Sequence, residues 1–239
     1  MNIDFSQKVV LVAGGTGGLG RSVSLAFLQR GANVAITWRH QEEFAALAGA
    51  AGEHATHLVG FNVDVTDSGA ALDLVRQILS RWGRLDVLVN TVGGYAGGIP
   101  LWQLEPDVLE RMLSLNLRAT FALAKSATPA MIAHKSGSIV NVAAKAAWDH
   151  AAGASAYAAS KAAAVALMDS LSADLIGTGV RVNSVLPSII DTPANRSAMP
   201  GSDFSRWPKP EDIAKVVLFL ASDDAKVIHG ASIPVFGNG

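Results

Sequence analysis

The chain has 239 residues, half of them hydrophobic, with a formal net charge of −1 and no cysteine. A doubly wound α/β domain takes about 250 residues, so one domain spanning residues 1–239 is expected. The balanced charge argues against nucleic acid or an anionic membrane as partner, and the lack of cysteine excludes disulfides, a thiolate nucleophile and a Cys-based metal site.

The first eight residues, Met1–Lys8, lack the charged-then-apolar pattern of a signal peptide. The apolar run from Val9 stops at glycines, well short of the roughly 20 residues that span a bilayer. A cytoplasmic protein is expected. The run Val9–Ala13 is the first predicted strand, and a helix over Leu19–Gln29 follows the glycine segment Gly14-Gly15-Thr16-Gly17-Gly18-Leu19-Gly20. The second strand, Asn33–Thr37, ends at Trp38-Arg39-His40 and leads into a helix over Gln41–Ala51. The third, His57–Asn62, is followed by Asp64-Val65 and a helix over Ser68–Trp82. The fourth, Leu85–Asn90, precedes Thr91-Val92-Gly93 and one long helix over Asp107–His134. Strand Ser138–Val142 and helix Ala156–Ile176 come next, then strand Val180–Val185. Pro187–Lys209 shows no periodicity, and a loop of that length in a compact domain points to a substrate lid. Helix Pro210–Ser222, opened by proline and two acids, and strand Ser232–Phe236 close the chain.

Strands apolar at nearly every position, alternating with amphipathic helices, predict a doubly wound parallel sheet of about seven strands with helices on both faces. The first strand runs straight into Gly14, Thr16, Gly18, Leu19 and Gly20 and then a helix, the setting in which glycines let a backbone approach a pyrophosphate at a helix N-terminus. This is a Rossmann-type dinucleotide site. NAD binders place a carboxylate at the end of the second strand, but here Trp38 and Arg39 stand there, and a guanidinium suits a 2′-phosphate. NADP(H) is therefore favoured over NAD(H). Asp64 is read either as a partner for the adenine amino group or as a helix N-terminal carboxylate. Tyr157 and Lys161, four apart on one helix, project from one face, and an ammonium beside a phenol is expected to lower its pKa toward neutral. No cluster of metal ligands is evident.

Together these motifs resemble the short-chain dehydrogenase/reductase family over essentially the whole chain. The matching positions are Gly14-x-x-x-Gly18-x-Gly20, Asp64-Val65, Asn90-Thr91-Val92-Gly93, Asn116, Tyr157-x-x-x-Lys161 and Pro187-x-x-Ile190-x-Thr192. The resemblance implies that Tyr157 is the general acid/base, Lys161 holds the nicotinamide ribose, and Asn116 anchors a water in a proton relay. It implies a small-molecule substrate and a homo-oligomer paired through the long helices flanking the site. The family's polarising serine, about thirteen positions before the tyrosine, falls here on Ala144.

Within the family the chain is most similar to the dihydropteridine reductases. Gly93-Gly94-Tyr95-Ala96-Gly97-Gly98, the serine-free Ala144–Asp149 stretch and the segment Asp191–Trp207 all match. That similarity implies reduction of a quinonoid dihydropterin or related conjugated imine, with Tyr95 and Trp148 either stacking on the substrate or packing the loop. Two features depart from it: Trp38-Arg39 replaces an acid, and the tail from Ile228 is more like the wider family. Two further readings remain, a carbonyl reductase of the 3-oxoacyl or small-ketone type working without the serine, and a silent nucleotide-binding sensor.

Overall fold

A computed structural model describes residues 3–238; Met1, Asn2 and Gly239, the ends of the expected domain, lie outside them. Seven parallel strands form one sheet in the order β3-β2-β1-β4-β5-β6-β7. They are β1 (Val9–Ala13), β2 (Asn33–Trp38), β3 (Leu58–Asn62), β4 (Val87–Asn90), β5 (Gly137–Val142), β6 (Val180–Pro187) and β7 (Ser232–Val235). The order reverses between β1 and β4, the switch point at whose carboxyl end such sheets bind ligands.

Alternate side chains of each strand leave opposite faces, so the sheet builds two cores. Val10, Val12, Ile36 and Val140 pack with α1 (Gly18–Leu28), α2 (Gln41–Ala51) and α8 (Pro210–Ala221). Val9, Leu11, Leu88 and Ile139 pack with α3 (Ser68–Trp82), α5 (Ala119–Ala133) and α6 (Ser155–Asp174). Ends are set by local chemistry. The Asp67 side chain accepts from Ala70 N at 2.8 Å to start α3, and Gly83, left-handed at φ 72°, ends it.

Two expectations are corrected. The single helix over Asp107–His134 is divided into α4 (Pro106–Leu113), a π turn at Ser114–Arg118, and α5. The aperiodic lid segment is not structureless: it holds α7 (Pro193–Ala198), which Thr192 caps by accepting from Asn195 N at 3.2 Å, and a 3₁₀ turn at Phe204–Arg206. Among the described residues no helix is long and apolar enough to cross a membrane.

Candidate active site

The glycine segment closes against its own strand. A Cβ on Gly20 would stand 2.0 Å from the carbonyl oxygen of Gly14, and one on Gly18 would stand 2.8 Å from the Thr192 methyl. Glycine is therefore required for α1 to start so close to β1 and for Thr192 to lie over the turn. The turn is pinned by two hydroxyls, one of them in the Asn90–Gly93 motif. Thr37 Oγ1 accepts from Gly14 N at 2.8 Å, and Thr91 Oγ1 donates to Ala13 O at 2.7 Å. The N-cap Gly17 has no side chain, which leaves the first-turn N–H groups of α1 unspent for an anion.

Beside this turn lies a cavity of about 300 Å³, bordered by Gly14, Thr16, Gly17, Trp38, Arg39, His40, Glu43, Val65, Val92 and Gly93. A glycine turn, open helix amides and a half-apolar cleft ending in basic groups fit a dinucleotide. Asp64 and Asn90 do not border it. Asp64 Oδ1 accepts from Thr66 N at 3.0 Å and Thr66 Oγ1 at 2.8 Å; these bonds, with a smaller pull from Arg39, hold its carboxyl below the usual carboxylate range. Of its two readings the helix cap is corrected, since Asp67 caps α3. Asn90 is buried behind the cavity. It donates to Thr120 Oγ1 at 2.9 Å and Asn141 Oδ1 at 3.2 Å, and accepts from Val92 N at 3.0 Å, holding the wall from behind. Leu19 turns its side chain into the core, Ile190 packs against the same core, and Pro187 ends β6.

Beyond Gly93 on the cavity's border, α6 carries Tyr157 and Lys161 one turn apart. Lys161 is buried, donates to Val142 O at 3.1 Å, and has its pKa lowered to about 8 by loss of solvent. A Cβ on Gly93 would meet Asn116 Oδ1 at 2.8 Å and Lys161 Nζ at 3.1 Å, so only glycine leaves room between them. Asn116, on the π turn, is wholly committed. It accepts from Gly94 N at 2.9 Å and donates to Gly94 O at 3.0 Å and Ser160 Oγ at 2.9 Å, while its carbonyl accepts from Thr120 Oγ1 at 2.7 Å. Its side chain clamps the Gly93-Gly94 segment onto α6.

The expected depression of the Tyr157 pKa is absent. Burial, aided by Tyr95, pushes it up to about 12, because loss of solvent disfavours the phenolate. Tyr95 stands edge-on over it with ring centroids 5.0 Å apart, a contact the sequence did not announce. Gly97 makes room for the Tyr95 hydroxyl, which a Cβ there would meet at 2.1 Å.

Ala144 is buried and extended at the end of β5, where a 3₁₀ turn (Lys145–Ala147) begins. Ser138 cannot replace its missing hydroxyl, since it lies at the other end of β5 and donates to Leu220 O. Trp148 is half exposed, just after the 3₁₀ turn. The site thus sets a phenol and a buried amine beside a glycine-lined cleft, without a side-chain hydroxyl at position 144.

A family model described as short chain dehydrogenase matches residues 8–202. The 3-oxoacyl-[acyl-carrier-protein] reductase FabG of Thermotoga maritima is 32% identical over 238 residues, covering 96% of each chain. Among solved structures, one titled ElxO with NADP bound superposes with a TM-score of 0.91 at 26% identity, over 96% of this chain and 97% of that one. An NAD+-bound xylitol dehydrogenase does so with a TM-score of 0.90 at 26% identity, over 98% and 99%. The chain belongs to the short-chain dehydrogenases and is an NAD(P)-dependent oxidoreductase of that family.

Proposed function

We propose that this oxidoreductase reduces a conjugated imine or quinonoid ring, with quinonoid dihydropterin as the type substrate and NADPH favoured over NADH. The observation that carries this is Ala144. Reduction of a ketone builds negative charge on oxygen, and losing one donor to such an oxyanion costs about 10²-fold. A ring nitrogen that takes up a proton builds no alkoxide, and a methyl at position 144 then costs nothing.

The residues divide the work as follows. The open amides of α1 and the glycine turn hold the pyrophosphate, Arg39 attracts a 2′-phosphate, and Thr192 closes over Gly18. When bound, the reduced nicotinamide would supply hydride to one end of the substrate's conjugated C=N system. Tyr157, kept protonated through neutral pH by burial, gives its proton to a substrate nitrogen, so that hydride and proton together turn a simple C=N into CH–NH, or give a quinonoid dihydropterin two N–H bonds as its ring double bonds shift. Lys161 then stands as the cation that favours the resulting phenolate until solvent returns the proton. Tyr95 and Trp148 offer aromatic surface to a flat bicycle at the mouth.

A second reading has its own support, since the FabG relative is named for 3-oxoacyl reduction. The two separate in one experiment. NADPH and NADH oxidation are followed with quinonoid dihydropterin and a 3-oxoacyl thioester, in wild type, Tyr157→Phe and Ala144→Ser. The proposal expects pterin turnover that falls about 10²-fold or more in Tyr157→Phe. Ala144→Ser should raise thioester turnover about tenfold or more while leaving the pterin rate nearly unchanged. An inert pterin with active thioester transfers the assignment to carbonyl reduction. Cofactor binding without turnover on either substrate favours the sensor.

A further inference from the structure

The end of β2 lacks the carboxylate that accepts ribose hydroxyls in NAD-binding folds, yet the cavity it borders does contain one. Glu43 sits in the first turn of α2, where the positive end of the helix dipole favours an acid. Its Oε2 accepts from Thr16 Oγ1 at 2.9 Å, bringing it across from α2 to the rim of the glycine turn. Arg39 and His40 border the same 300 Å³ cavity. Among the described residues neither Arg39 nor Glu43 takes part in an ion pair within 4 Å; Arg39 acts only weakly on Asp64 from a distance, and its guanidinium and the Glu43 carboxylate border one space.

We infer that Glu43 is a specificity-determining residue that supplies, from α2, the carboxylate missing from β2. It accepts the hydroxyls of an unphosphorylated adenosine ribose and opposes the 2′-phosphate that Arg39 attracts. The inference rests on the reading that this cavity takes the adenosine half of a nicotinamide dinucleotide. Its chemistry is simple. A vicinal diol is a donor pair suited to a carboxylate, whereas a phosphate monoester carries up to two negative charges at neutral pH and meets Glu43 as a like charge. Cofactor choice is then a contest between two side chains four residues apart, with Thr16 holding the acid in place while the cavity is free of anions.

Calorimetric titration of the purified chain with 5′-AMP and with adenosine 2′,5′-bisphosphate tests this without turnover. The variants are Glu43→Gln, which keeps an acceptor for Thr16, and Arg39→Ala. At low salt, removing a like charge beside the phosphate should tighten the bisphosphate about tenfold in Glu43→Gln. The same variant should weaken 5′-AMP severalfold, and Arg39→Ala should weaken the bisphosphate alone. A Glu43→Gln variant whose affinity ratio for the two ligands stays within twofold of wild type overturns the inference, whether the two affinities hold or weaken together. If wild type binds neither ligand, the dinucleotide reading of the cavity fails first and takes the inference with it.

Discussion

Replacing Lys161 with methionine should stabilise the ligand-free protein at neutral pH, because the native fold holds a charge away from water. Burial lowers the lysine pKa from its ordinary 10.5 to about 8. The gap corresponds to about 3 kcal/mol of penalty on the charged form. The side chain regains part of this by donating to Val142 O, a bond worth about 1 kcal/mol that methionine forfeits. Lys161→Met should therefore gain about 2 kcal/mol at pH 7, or roughly 4–8 °C in melting temperature for a domain of this size. The sign with pH follows from proton uptake. Between about pH 8 and 10.5 the unfolded chain holds the lysine proton and the native one has released it, so wild-type stability rises with pH through that window. Below about pH 8 both states are protonated and the penalty is present in full. The advantage of the variant should thus be constant from pH 6 to 7.5 and shrink toward pH 10.5. Urea unfolding of both proteins at pH 6.5, 7.5, 8.5 and 9.5 reads this directly. A wild type more stable than Lys161→Met at pH 7, or a difference that does not change with pH, would refute the claim that the amine is held at a cost to the fold.

Two further outcomes follow from packing. Gly20→Ala drives a methyl into the Gly14 carbonyl and should cost more than about 3 kcal/mol while abolishing cofactor binding; Gly49→Ala in α2, where a Cβ meets nothing within 4 Å, should gain about 0.5–1 kcal/mol by thermal melting. The exposed apolar side chains Leu109 on α4 and Phe121 and Ile132 on α5 fit the expected pairing through these helices, so sedimentation should give at least a dimer mass and a monomer would reject it.

The architecture was largely legible because its signals are local. Apolar runs of four to eight residues bounded by glycines give the strands, and Asp67 and Gly83 mark both ends of α3 with chemistry visible in the letters. The helix at Pro193 had a readable signal in Thr192-Pro193, an N-cap followed by proline, but its six residues carry no apolar stripe. The π turn was hidden because hydrophobic spacing reports the period of a helix and not a local widening of it. Tyr95 over Tyr157, Glu43 beside Thr16 and Asn90 behind the cavity wall depend on chain crossings that no single segment encodes. The phenol pKa went the wrong way for a related reason. Spacing on a helix says which groups are neighbours, whereas the depth at which both are buried decides which form of each survives.

The π turn at Ser114–Arg118 has a consequence for how this chain can change. Hydrogen bonds from i to i+5 admit one residue more than the α pattern, so the helix before it and the helix after it are out of rotational phase by about 100°. Asn116 sits at that phase break, with Met112 buried before it and Ala119, Leu123 and Met131 buried after it. Removing one residue from this turn would bring the two halves into a single regular helix. With α5 seated on the sheet, α4 would then have to rotate by a fifth to a third of a turn relative to Gly94 and Ser160. Substitution can adjust this wall of the active site by degrees, but length cannot: single-residue deletions here should be far less tolerated than in the glycine-ended turns at Gly31 or Gly83.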